Sequence, residues 1–180
     1  MRPIILAGCA IMALSCSRPS SPEIDFFKEN VIIDIRGDRV HVTGKYFLRN
    51  QTAVSKRVTL YYPFPVDAQH SYPDIILFDR SFSRDPSGIS FEMSIPGHAV
   101  DSFKILYQQK LAGRQCRYIT MTTRRWRRPL KSAVFTVVAP VKQRLTMNYP
   151  VSGAEVVDDT AFYYIRFKDF YPSEDLKVNW

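Results

Sequence analysis

From residue 31 onward the chain alternates apolar and polar positions with a period of two over most of its length. Val31-Ile32-Ile33-Asp34-Ile35-Arg36 reads as a strand, Gly37-Asp38 as a tight turn, and Val40 to Asn50 as the second arm of a hairpin. In that arm Val40, Val42, Gly44, Tyr46 and Leu48 share one face. His41, Thr43, Lys45 and Arg49 share the other, and Phe47 breaks the rule. Ser55 to Phe64 repeats the alternation until Pro63 and Pro65, which cannot donate to a ladder. Ile75 to Phe78 predicts a short strand. So do Ile89 to Ile95, Phe103 to Tyr107, Gln115 to Thr123, Leu145 to Tyr149, Phe162 to Phe167 and Leu176 to Val178. Ala133 to Ala139 is almost continuously apolar, which predicts a central strand. Val66 to Tyr72 and Ser83 to Gly88 read as loops, and Ser152-Gly153 with Asp158-Asp159 brackets a loop or a short strand. Ahead of the first strand, Ser21-Pro22-Glu23-Ile24 predicts one helical turn, with Ser as N-cap and Pro at the first helical position. Ile24, Phe26 and Phe27 would dock that turn on the domain.

About nine to eleven short strands separated by frequent turns predict an all-β fold, an antiparallel β-sandwich with at most a short N-terminal helix. A closed barrel is the alternative. A membrane barrel is excluded, because the alternation is irregular and the loops are proline-rich.

The first 22 residues follow a different pattern. Arg2 precedes an apolar run from Pro3 to Leu14, then Ala13-Leu14-Ser15-Cys16 and a polar, turn-rich Ser17 to Pro22. A positive start, a short apolar run and a small-residue site form a secretory signal, and the run is too short for a membrane-spanning helix. Ala13-Leu14-Ser15-Cys16 resembles the lipobox of bacterial lipoproteins, whose leader is cut just before a lipid-modified cysteine. Leu6-Ala7-Gly8-Cys9 matches the four-letter pattern better but leaves too little apolar run before it. Residues 1–15 are therefore expected to be the signal peptide, 16–24 the lipidated Cys16 and a linker, and 25–180 a single domain. The resemblance implies a membrane tether in the cell envelope. With Ser17 after the cysteine it also implies an outer-membrane position facing the periplasm.

The composition, 46% hydrophobic and 13% aromatic over 180 residues, is that of a globular domain with a real core. Beyond Cys16 the only cysteine is Cys116, so no disulfide can form within the domain. Its place in an alternating strand predicts a buried, inert thiol. The net charge of +8 is uneven. Between Ser102 and Ala154 lie eleven of the 25 cations and none of the 17 acids. The peak is Arg124-Arg125-Trp126-Arg127-Arg128-Pro129-Leu130-Lys131. Arginines around an indole can grip phosphate or carboxylate bidentately, so Arg124, Arg125, Trp126, Arg127, Arg128 and Lys131 are candidate anion-binding residues. Anionic lipid, lipopolysaccharide or a cell-wall polymer would be the partner. The alternative is a solvated face with Trp126 in the core. Nucleic acid fits the charge but not the export signal. If the strands from Phe103 to Tyr149 are sheet neighbours, their cations share one surface.

Catalytic signals are sparse. His41, His70 and His98 show no metal-ligand spacing, no serine sits in a nucleophile elbow, and no cofactor motif is present. An aromatic-lined groove around Tyr61, Tyr62, Phe64 and Tyr72 would suit a carbohydrate-binding domain or a hydrolase instead. Gly44 to Asn50 followed by Leu60-Tyr61-Tyr62-Pro63-Phe64-Pro65 resembles the opening of secreted β-sandwich domains of bacterial surface families and, more distantly, the vault/inter-alpha-trypsin (VIT) domain. Tyr118 to Thr123, Trp126, Arg128-Pro129-Leu130 and the stretch Phe167 to Trp180 resemble the bacterial group and not VIT. The resemblance implies the sandwich fold and carries no activity. The expected function is a non-enzymatic interaction module.

Overall fold

The inward alternation of Val31, Ile33 and Ile35 runs back to Glu29, and then a register shift between Phe26 and Lys28 turns Phe26 and Ile24 inward instead. A single extra residue in one strand has this effect. It explains why strand β1 (Ile24–Arg36) begins seven residues before Val31. The predicted helical turn is therefore replaced, from Ile24 on, by strand. A computed structural model describes residues 23–180; the leader, Cys9, Cys16 and the linker through Pro22 lie outside the described residues.

Gly37, at φ +63°, closes the hairpin between β1 and β2 (Arg39–Asn50), a backbone conformation that glycine adopts without penalty. The chain continues through β3 (Lys56–Pro63), β4 (Ile75–Phe78), β5 (Ser83–Asp85), β6 (Gly88–Ile95), β7 (Val100–Lys110) and β8 (Gln115–Tyr118). A 3-10 helix (Met121–Trp126) leads to β9 (Leu130–Pro140), β10 (Thr146–Met147), β11 (Gly153–Val157), β12 (Thr160–Phe170) and β13 (Leu176–Asn179). The fold is all-β and mostly antiparallel. The excess over the expected strand number comes from short pieces. Among them are β5 inside a predicted loop, and β11, whose return at Asp158 (φ 51°) is a hairpin turn. The strand expected to run to Thr123 stops at Tyr118 and gives way to the 3-10 helix.

Seven strands form the large sheet, in the order β11-β12-β9-β1-β2-β7-β4. One face of it is covered by two three-stranded sheets, β3-β6-β5 and β10-β13-β8. The first cover packs through Tyr62 on Tyr107 and Phe91 on Phe103, the second through Tyr118 on Phe135, with ring centroids 4.9–6.2 Å apart. Phe135, Val137, Ile33, Ile35 and Ile165 are fully buried between the layers. Cys116 is buried as well, and burial pushes its thiol up to about 12.

The strands from Phe103 to Tyr149 are not sheet neighbours. β9 lies beside β1 in parallel, so β1 and β2 separate it from β7, while β8 and β10 belong to a cover sheet. A parallel neighbour needs a crossover, and here the chain passes through both cover sheets before the 3-10 helix leads it from β8 back to the large sheet at β9. The cations are consequently dispersed: Lys104 lies on the outer face of β7, whereas Arg117 on β8 is bound to Asp67 at 2.7 Å.

Phe47, the exception in β2, points outward and is covered by cations. The Lys28 and Lys45 ammonium groups lie 5.0 and 5.2 Å from its ring centroid. Asn50 is buried and knots the end of β2. Its Nδ2 donates to the carbonyls of Val54 and Ile95, and its Oδ1 accepts from the Thr52 N–H and hydroxyl.

Candidate functional site: a buried carboxyl in the seam between the cover sheets

The two cover sheets leave a cavity of about 350 Å³ where β3 faces β8 and the 3-10 helix. Its floor is the large sheet: Phe26 and Glu29 from β1, Tyr46 and Leu48 from β2, and Phe103 from β7. One wall is Thr59 to Pro63, and the other runs from Tyr118 through Thr123 to Trp126.

Glu29 is at the floor because of its phase. It sits two residues before Val31 on the inward face, directly across the ladder from Tyr46. It is 2% exposed. Its Oε2 accepts a long hydrogen bond, 3.5 Å, from the Tyr118 hydroxyl, and Oε1 has no hydrogen-bond partner among the described residues. Removing a carboxylate from water disfavours its charged form. Burial, opposed only by the Tyr118 hydroxyl, pushes Glu29 up to about 8, so with no cation beside it the carboxyl holds its proton at neutral pH.

Three tyrosines complete the polar floor. The Tyr46 hydroxyl is the hub, 2.8 Å from the hydroxyls of both Tyr62 and Tyr118. Burial holds all three phenols above their ordinary range. Gly44 makes room for the hub. A Cβ there would stand 2.0 Å from the Tyr46 hydroxyl oxygen, so the Tyr46 side chain lies over the bare backbone of Gly44.

The roof is tied down from the C-terminal end of the chain. The carboxylate of Asp175 accepts the backbone N–H groups of Thr120 and Met121, each at 3.0 Å, and the Thr120 hydroxyl donates to the Glu174 carbonyl at 2.7 Å. The 3-10 helix ends at Arg127, in the left-handed region at φ 57°, where the Arg127 N–H bonds the Arg124 carbonyl. These ties set Trp126 against Phe26, centroids 5.8 Å apart.

Of the candidate anion-binding residues, Arg125 and Trp126 line the cavity. Arg124 lies over the Tyr171 ring at 5.0 Å. Arg127 is exposed at the cap, Arg128 is half-buried, and Lys131 is exposed on β9. Trp126 is half-buried and packs against the core. Of the aromatic groove, Tyr61 and Tyr62 line the cavity, whereas Phe64 is core and Tyr72 is engaged with the Gly88 carbonyl. Glu29, Tyr46 and Tyr118 were not among the expected site residues. The signal for Glu29 was an acid in phase with Val31, Ile33 and Ile35.

His70 is buried beside Asp67, but both ring nitrogens are committed. Nδ1 bonds Asp67 Oδ1 at 2.7 Å, and Nε2 accepts the Arg117 N–H at 3.0 Å. The ring thus braces the β3–β4 connection on β8, and Nε2 is not open to a reactant. Among the described residues no three His, Cys, Asp or Glu side chains converge as metal ligands would, and no helix is long and apolar enough to cross a membrane.

No protein-family model and no curated protein sequence matches this chain. Solved structures do. A Legionella pneumophila protein provisionally named as nutrient-binding superposes with a TM-score of 0.65 at 13% identity, covering 89% of this chain and 68% of that one. An M1 zinc metallopeptidase of Deinococcus radiodurans, a mutant bound to a Tyr-Ser-Ala substrate, gives 0.54 at 5% identity, covering 87% of this chain and 42% of that one. A Parabacteroides distasonis protein provisionally named as a protease gives 0.51 at 10% identity, with 88% and 40% covered. At such identities the likeness shows a shared fold. The chain spans under half the length of the two peptidase-type proteins.

Proposed function

We propose that this protein is a lipid-anchored, non-enzymatic binding module of the cell envelope that takes a small organic molecule in the seam cavity. One observation carries the reading: a cavity between the cover sheets whose floor holds a buried carboxyl oxygen with no partner among the described residues. Native proteins rarely leave such an atom unsatisfied, and ligand sites are concave and mostly apolar, with few convergent polar groups. The cavity lies at the low end of the usual ~300–1,000 Å³ range. The fold shared with a protein named as nutrient-binding agrees with a binding role.

The sequence pattern around Cys16 supports the anchor, with the domain on the outer membrane, facing the periplasm. The anionic partner proposed for the basic segment, whether lipid, lipopolysaccharide or cell-wall polymer, falls to Arg124, Arg125, Arg127, Arg128 and Lys131. These residues sit on and just beyond the roof, so they would hold the mouth toward the membrane.

Two arms test this. In fractionated bacterial cells producing the full chain, Cys16→Ala is expected to leave the membrane pellet for the soluble fraction, and Cys9→Ala to stay in the pellet. The opposite distribution overturns the anchor. For the cavity, full-length protein in detergent is incubated with a small-molecule extract of the cells, repurified and analysed by mass spectrometry beside Leu60→Trp, which fills the cavity from β3. At least one low-mass compound is expected to be enriched on the wild type alone. Equal recovery from both proteins contradicts the binding reading.

A further inference from the structure

We propose that the seam cavity selects an organic cation, a primary or secondary ammonium on a flat apolar body, with the ammonium seated against Glu29 Oε1 among the Tyr46, Tyr62 and Tyr118 side chains. This rests on the cavity being a binding site and names the ligand class.

The floor offers little else. The hydroxyls of Tyr46, Tyr62 and Tyr118 are joined to one another, so the uncommitted acceptor is Glu29 Oε1. The rest of the lining is mainly apolar, with the aromatic rings of Phe26, Tyr61, Phe91, Phe103 and Trp126 among it, and Thr59, Thr122 and Thr123 add hydroxyls. Ring faces carry negative potential and attract a desolvated cation, and a buried carboxylate is tolerated when a cation pairs with it. A carboxylic acid ligand would set two acids together, and a sugar would bring many hydroxyls against a mainly apolar lining. An alcohol could bond Glu29 but would not compensate its charge. Arg125, exposed at the rim, faces the outer end of a ligand, where a polar or anionic tail is acceptable.

The chemistry at the floor is an exchange of cations. Without a bound cation Glu29 carries a proton at neutral pH; an ammonium replaces that proton as the partner of the carboxylate, and the proton leaves to solvent. Tyr46 on β2, Tyr62 on β3 and Tyr118 on β8 face Glu29, and burial keeps them from titrating near neutrality. From β9 the ladder neighbour is Ala133, which carries no charge. From the roof the residue that lines the cavity with a basic side chain is Arg125. With Glu29 near 8, apparent affinity should rise by about fiftyfold between pH 6 and 8, most steeply below pH 7, and about nine-tenths of a proton should be released at pH 7.

Three isosteric probes decide this by titration calorimetry on the full-length protein in detergent: tryptamine, tryptophol and indole-3-acetate. Runs at pH 6.5, 7.5 and 8.5, with a pair of buffers of different ionisation enthalpy at pH 7, give affinity and proton release. Tryptamine is expected to bind at least about tenfold more tightly than tryptophol at pH 8.5, with indole-3-acetate the weakest. Glu29→Gln is expected to remove tryptamine's advantage and its proton release. Tryptophol matching tryptamine, indole-3-acetate binding best, tryptamine binding without proton release, or none of the three binding would each overturn the ammonium assignment. The extract enrichment decides separately whether the cavity binds anything.

Discussion

Glu29→Gln is expected to make this protein more stable at pH 8.5, by about 3–5 kcal/mol, while changing its stability at pH 5 by about 1 kcal/mol or less. The unfolded Glu29 ionises near 4.5 and the folded one near 8. Between those values the unfolded chain gives up a proton that the folded protein keeps. The contribution of the protonated side chain is therefore complete below pH 4.5. It falls by about 1.4 kcal/mol for each pH unit above that, and the loss is complete once pH passes 8. Glutamine has nearly the same shape and no charge to strand. Burial is the largest single influence on the carboxylates of Asp67 and Asp74 and raises both, but together the hydrogen bonds and charges of His70, the Gln69 N–H and Arg117 at Asp67, and of Arg39 and Gln108 at Asp74, outweigh it and hold both groups below their ordinary range. Their stabilisation is present above the ordinary carboxylate range and is lost only in acid, outside this window. Urea denaturation at pH 5, 7 and 8.5 reads the effect. Wild-type and variant curves that stay parallel across these pH values would show that burial does not hold the Glu29 proton.

The second large effect is expected at Gly44. Gly44→Ala puts a methyl group where the Tyr46 phenol lies, with the nearest approach 2.0 Å and two ring carbons within 2.5 Å. The Tyr46 ring must move. Tyr62 and Tyr118 then lose the hydroxyl that joins them. Overpacking of this kind costs about 1–3 kcal/mol, and each buried hydroxyl left unpaired costs about 1–3 kcal/mol more. A loss of roughly 3 kcal/mol or more in urea denaturation at pH 5 is expected, together with loss of ligand enrichment in the cavity. A change below about 1 kcal/mol would mean that Tyr46 can leave without disturbing the network.

The β2 alternation was legible in full, down to the exceptional Phe47, because one face of that strand is committed to the core. The hairpin at Gly37 was legible from its turn residues. The start of β1 was not, since the bulge between Phe26 and Lys28 changes the inward phase and makes Ile24-Asp25-Phe26-Phe27 look aperiodic. The same break hid Glu29, whose place on the apolar face shows only when the count runs backward from Val31. Strand pairing was illegible beyond the hairpin. Nothing local says that β9 will insert beside β1, and so nothing local said that the cations of β7, β8 and β9 would part. The basic segment drew attention as charge, yet its structural contribution is a roof. Thr123 and Trp126 face inward from it, and Asp175, more than forty residues away in sequence, fixes its start. A site assembled from β1, β2, β3, β8 and a 3-10 helix has no sequence spacing to detect. Only its aromatic content could be read in advance, and that pointed to Tyr61 and Tyr62 correctly and to Phe64 and Tyr72 wrongly.

Both the binding site and its ligand class depend on a Glu29 carboxyl that keeps its proton at neutral pH when no cation is bound beside it. The most direct measurement is a pH titration of the Glu29 side-chain carboxyl carbon in ¹³C-glutamate-labelled protein, assigned by its disappearance in Glu29→Gln. The account predicts a midpoint near 8, moving down when tryptamine is added. A midpoint near 4.5, unmoved by tryptamine, would contradict it.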